Sequence, residues 1–163
     1  MRKVKFEDNL SYPREKEIIK FEGKEPFRLY FKMGKIFKDV LEVMGMDVKE
    51  VKLKWDATSI NKSFYVKWEV IRKIDTWTKI KVELVAQGSQ NSETREGNVT
   101  ITIVPAFITE VETGFLQRTF WWMYYFIYYK KKRIRDFYFA KNLINKLKIA
   151  IGELYGIKLM ESV

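Results

Sequence analysis

Apolar and polar residues trade places at every step through the middle of the chain, and this period of two limits the fold more than any other feature. In residues 51–57, Val51, Leu53, Trp55 and Ala57 alternate with Lys52, Lys54 and Asp56. Residues 64–70 set Phe64, Val66, Trp68 and Val70 against Tyr65, Lys67 and Glu69. Ile80, Val82 and Leu84 alternate with Lys79, Lys81 and Glu83, and Val99, Ile101 and Ile103 with Thr100, Thr102 and Val104. Successive side chains of a strand point to opposite faces, so one polar face means strands covered on one side only, the habit of antiparallel sheets. The joints are short: Asn61-Lys62, Asp75-Thr76 and the polar stretch 88–97. A meander of hairpins is therefore expected rather than crossover units.

Ahead of the meander, residues 1–7 and 16–22 read as short strands. Phe27, Leu29, Phe31 and Met33 alternate with Arg28, Tyr30 and Lys32, which favours another strand. A helix from Pro26 is the competing reading, because proline suits a first helical turn. From Ile36 the period changes: Ile36, Phe37, Val40, Leu41 and Met44 share one helical face, predicting a helix over about 35–45 that Gly45 can close. After Gly114 the pattern is helical to Tyr155, where Gly156 stops it. Phe137, Ala140, Ile144, Leu147, Ile151 and Leu154 recur three and four apart, roughly opposite Lys131, Lys132, Arg135, Asn142 and Lys146. An unbroken helix from 115 would far exceed the usual length, so a break or bend is expected near residues 130–133.

At 163 residues the chain fits one domain, 1–163, able to bury roughly 70% of its extended surface. It has no cysteine and no histidine. Disulfides, thiol nucleophiles, Cys/His zinc sites and Ser/His/Asp chemistry are thereby excluded. The sequence carries no EF-hand loop, phosphate-binding glycine loop or dinucleotide fingerprint, so neither catalytic residue, cofactor nor metal is assigned and an enzyme is not favoured. Two loose carboxylate pairs remain. Asp47 and Glu50 can cap or pair with lysine; Glu110 and Glu112 would share a strand face, either as exposed charge or as a cation site. The start, Met1-Arg2-Lys3-Val4-Lys5, lacks the apolar stretch of a signal peptide, and the most apolar run, 120–129, is half of the about 20 residues a membrane span needs, so a cytoplasmic protein is expected. Enrichment in Lys, Glu and Ile is thermophile-like.

The net charge of +10 is concentrated at one end: residues 113–163 hold ten basic and three acidic groups. Twelve of the 26 aromatic residues lie between Phe115 and Phe139. The run Lys130-Lys131-Lys132-Arg133-Ile134-Arg135, with Lys146 beyond it, suits nucleic-acid phosphates, with aromatic rings to stack on unpaired bases. It equally suits an anionic membrane surface, with Trp121, Trp122, Tyr124, Tyr125, Tyr128 and Tyr129 at headgroup level. An acidic partner, an anionic ligand headgroup or plain solvated helix are further readings. If the aromatic segment is not buried all round, it presents a patch for a protein or membrane partner, including a second copy of the chain in a homo-oligomer.

The order of elements, a short helix before an antiparallel meander and a long terminal helix after it, resembles the helix-grip fold of the START/Bet v 1-like (SRPBCC) superfamily. The resemblance runs from about Lys16 to Tyr155 and includes the strand Gly97-Asn98-Val99-Thr100-Ile101-Thr102-Ile103 feeding an aromatic and basic helix. It departs in the two or three strands before the first helix. It implies an α+β fold, a curved sheet of six to seven strands gripping the helical segment 115–155, and a cavity between them for an apolar or amphipathic, lipid-like small molecule. Phe31, Trp55, Phe64, Trp68, Phe107, Trp121, Tyr125 and Tyr128 are the candidate lining, with ordinary core packing as the alternative for each. Lys130, Lys131, Lys132, Arg133, Arg135 and Lys146 are the candidate anion or nucleic-acid contacts.

Overall fold

The longest strand organises the sheet. The computed structural model describes residues 2–12 and 14–157. In chain order it contains β1 (Arg2–Asn9), β2 (Glu17–Lys24), α1 (Arg28–Leu41), β3 (Val48–Asp56), β4 (Asn61–Lys73), β5 (Thr78–Asn91), β6 (Glu96–Thr113), α2 (Phe115–Tyr124), a π-helical turn (Tyr125–Tyr129) and α3 (Lys130–Leu154). The six strands form one curled, open antiparallel sheet in the order β1-β6-β5-β4-β3. β1 pairs with residues 106–113 of β6 and β2 with residues 96–103, so the first two strands lie end to end along one edge. Met1 lies outside the described residues. The fold is α+β, a curled sheet with a long C-terminal helix.

Alternation does its expected work at the centre. Phe64, Val66, Trp68 and Val70 are buried, as are Ile80, Val82 and Leu84 on β5 and Val99, Ile101 and Ile103 on β6. Cross-strand partners such as Trp68, Leu84 and Ile103 share a face, and α1 and α3 cover it. The stretch 88–97 is less of a joint than expected. β5 continues to Asn91 and β6 starts at Glu96, because Gly88 and Gly97 let the two strands approach closely: a Cβ on Gly88 would lie 2.0 Å from the Asn98 carbonyl oxygen.

Three expectations need correcting. Residues 27–33 are not a strand. Leu29, Met33, Phe37 and Leu41 recur every four residues and are all buried, and this stripe outruns the short alternation it overlaps, so the helix begins at Arg28 and Phe31 falls off the stripe into solvent. The helix ends at Leu41 rather than at Gly45, with Glu42 taking the left-handed conformation, φ 55°. On β3 the strand is present but its apolar set is not core. A bulge between Glu50 and Lys52 removes Val51 from the ladder. Leu53 and Trp55 face the same side as Val66 and Phe64, yet on this edge strand Leu53 is exposed and Trp55, though it meets Phe27 at the start of α1, is 42% exposed.

The helical segment 115–155 is continuous. Instead of breaking at residues 130–133 it widens into the π turn just before them. That turn resets the phase between Trp121, which packs toward the end of the sheet, and the stripe Ala140, Leu143, Ile144, Leu147 and Ile151, which packs on its middle. Two apolar clusters result on one concave face, the smaller built from Val4, Val111 and Trp121 with Phe6, Trp77, Trp122 and Tyr125.

Candidate functional site

The end of the concave face where α1 begins is held open by a specific set of contacts. Tyr155, just past α3, donates its hydroxyl to the Pro26 carbonyl at 2.6 Å and stacks on Phe21 at 4.5 Å. Burial holds its phenol well above the usual range. Arg28 lies across both rings, 4.9 Å from the Tyr155 centroid and 5.6 Å from that of Phe21. The Phe27 N–H donates to Gln90 Oε1 at 3.2 Å, and Glu25 pairs with Arg95 at 3.2 Å. Thus the ends of α3 and the β5–β6 hairpin together fix the first turn of α1.

The result is an open groove of about 330 Å3 lined by Glu25, Phe27, Arg28, Phe31, Gln90 and Arg95. Phe27 is its hub, with ring centroids 5.7 Å from Phe31, 4.6 Å from Trp55 and 5.0 Å from Phe64. Phe31 is 74% exposed. The Nε of Arg28 is buried and has no hydrogen-bond partner among the described residues. Arg28 itself is half-buried, and a guanidinium beside an aromatic wall can take an apolar body and an anionic or carbonyl oxygen.

The eight residues expected to line a cavity divide between different places. Phe31 lines this groove, whereas Trp55 and Phe64 touch Phe27 and line a neighbouring hollow with Lys54, Ser63, Tyr65 and Gly88. Trp68 and Phe107 are buried in the main core beside Phe37 and Phe137, respectively. Trp121 and Tyr125 stack on Phe6 in the smaller cluster, at 6.1 and 5.3 Å, and Tyr128 is exposed. The alternation of residues 27–33 concealed Phe27 and Arg28; the one sequence signal for them was Pro26 as a helix start.

The basic run divides as well. Lys132 pairs with Asp75 at 2.8 Å and Asp136 at 2.6 Å, and Arg133 with Asp8 at 2.8 Å. Lys130, Lys131, Arg135 and Lys146 are exposed and make no ion pair among the described residues. Glu110 and Glu112 do share a face, and Lys3 Nζ bridges them at 3.1 and 3.3 Å where a cation was considered.

Between the two apolar clusters runs a belt of buried hydroxyls. Arg133 Nε donates to Thr109 Oγ1 at 2.8 Å, Thr109 and Thr78 hydroxyls meet at 2.9 Å, Thr78 meets the Tyr129 hydroxyl, and Tyr129 donates to Asp75 at 2.9 Å. Arginine only donates and a carboxylate only accepts, so the ends orient every hydroxyl between them: Thr109 donates to Thr78, Thr78 to Tyr129. Burial, opposed by Thr78 and reinforced by Asp75, pushes the Tyr129 phenol up to about 12. Burial alone would raise the Asp75 carboxyl, but Lys132, the Trp77 and Thr78 amides and Tyr129 hold it below the usual range. The belt's hydroxyls are consumed internally, which makes it a tie between helix and sheet.

The antiparallel sheet with its long C-terminal helix is a helix-grip-like arrangement of the α+β class. Comparison of the chain with protein-family models, curated proteins and solved structures found no match.

Proposed function

We propose that this protein binds an amphipathic, lipid-like anion without transforming it, in the groove where α1 begins. The observation that carries the reading is the junction of the Phe27–Phe31 ring pair with the half-buried Arg28 guanidinium in one groove. Apolar carbon would cover rings that otherwise face water, and a carboxylate or phosphate oxygen would satisfy the guanidinium. The groove's volume lies at the lower end of small-molecule sites, which suits one short chain rather than a sterol. Membership of the START/Bet v 1-like superfamily is part of the same proposal, supported by the order of elements. We put the ligand at the mouth of the grip, where Phe31 is exposed, rather than beneath the helices, where Phe37, Trp68, Leu84, Phe107 and Leu147 are buried.

Native mass spectrometry and solvent extraction of the purified protein test this directly. An amphiphile carried through purification is expected, with decanoate binding to the emptied protein. Phe31→Ser and Arg28→Gln are each expected to weaken decanoate binding about tenfold, the scale of one lost charge-assisted hydrogen bond or one bared ring. A protein that carries nothing and ignores decanoate would overturn the reading.

A further inference from the structure

The helical segment that ties the smaller cluster to the sheet turns its other side to water. Phe120 is 70% exposed and Tyr128 67%; Met123, Phe126, Ile127 and Ile134 are exposed with them. A monomer rarely shows so continuous an apolar strip without a partner for it. We propose that this face of α2, the π turn and the start of α3 docks on an anionic membrane surface, lying in the plane of the headgroups. The proposal concerns the opposite end of α3 from the groove and stands independently of it.

Charge selects the occupant. No aspartate or glutamate occurs from Gly114 to Arg135, while Lys130, Lys131 and Arg135 are exposed beside the strip without an ion pair among the described residues. A two-fold contact with a second copy would set this basic cluster against its own image, which disfavours self-association. Nucleic acid would satisfy the charges and the aromatic rings, but Met123, Ile127 and Ile134 offer no π face to a base. A bilayer boundary accepts all three components: aliphatic groups at the acyl border, tyrosine at headgroup level, lysine and arginine at the lipid phosphates. The helix is not required to cross, and no helix among the described residues is long and apolar enough to do so.

The face is also preformed. On the opposite side Trp121 packs against Phe6, Tyr129 donates to Asp75, and Arg133 is held by Asp8 and Thr109. These ties fix the rotation of the helix, so docking requires no unfolding of its contacts with the sheet.

Co-sedimentation of the full chain with vesicles of phosphatidylcholine, alone or mixed with phosphatidylglycerol, is the test. Partitioning is expected on the mixed vesicles only, falling as salt rises. Lys131→Ala/Arg135→Ala should lower it about thirtyfold, roughly fivefold per charge. Ile127→Ser/Tyr128→Ser should lower it with the thermal melt unchanged, and Phe31→Ser should leave it unchanged. Absence of partitioning at low salt, or equal partitioning on both vesicles, would overturn the proposal. So would a dimer by light scattering that Ile127→Ser returns to monomer, or tighter binding of single-stranded RNA lost in the same variants.

Discussion

Asp75 shows how much one side chain can organise. It accepts from the Trp77 and Thr78 amides at 2.8 and 2.9 Å, closing the β4–β5 turn, and from Tyr129 and Lys132 of the helical segment packed on the sheet. Its lowered carboxyl contributes stability present above the ordinary carboxylate pKa and lost as pH falls through the lower folded value. Tyr129 behaves oppositely. Its folded phenol stays protonated up to about 12 while the unfolded one ionises near roughly 10, so its contribution is complete below the unfolded value and lost as pH rises through the folded one. Denaturant titrations from neutral to alkaline pH should therefore show stability falling over that window in the native protein. In Tyr129→Phe the fall should be shallower, though still present, because Tyr155 and Lys132 also have raised values. For Lys132, burial acts to lower the pKa and the Asp136 and Asp75 carboxylates outweigh it. A profile identical in both proteins would remove Tyr129 from the belt. None of this was legible beforehand: Lys132 and Arg133 look like their neighbours in a basic run, and only the fold brings Asp75 and Asp8 to them.

At the scale of elements, α3 is positioned by a second buried tie. Lys148 meets Glu17 of β2 at 3.0 Å, both side chains being nearly buried, and Arg14 reaches the same carboxylate at 3.2 Å from the surface. Removing Lys148 leaves the buried Glu17 carboxylate with Arg14 at the surface as its one ion-pair partner among the described residues, whereas removing both replaces the pair by an apolar contact. Because Arg14 remains, Lys148→Met is expected to lower unfolding free energy by about 2 kcal/mol, and Glu17→Leu/Lys148→Met to recover most of it, as read by urea denaturation. A double variant as weak as the single would contradict this account. The elements themselves were legible in proportion to the length of their pattern. The strands β4, β5 and β6 and the stripe of α3 repeat often enough to be unambiguous. Residues 27–33 fit both periods, and only the continuation through Phe37 and Leu41 favours the helix. The exposure of Leu53 and Trp55 was hidden for a different reason: alternation gives a strand its two faces but not how far a covering element extends over an edge strand.

Across the whole molecule, one concave face serves three purposes. Its middle is the main apolar core under α1 and α3, one end carries the smaller aromatic cluster, and the other end opens as the groove. The sheet and terminal helix were readable from hydrophobic periods; the division of the aromatic surplus was not. Composition counts rings without saying which of them meet. Phe27, Phe31 and Trp55 converge because the curl of the sheet carries the β3 edge toward the start of α1, a long-range consequence with no local signature.

Amide chemical-shift mapping of the isotopically labelled chain during titration with decanoate decides where an amphiphile sits. Saturable shifts clustered at Phe27, Arg28, Phe31 and Gln90 are predicted, with the Arg28 Nε–H moving as an anion approaches its guanidinium. Shifts confined to residues 120–138, or no saturable shift anywhere, would contradict the placement of a ligand in the mouth of the grip.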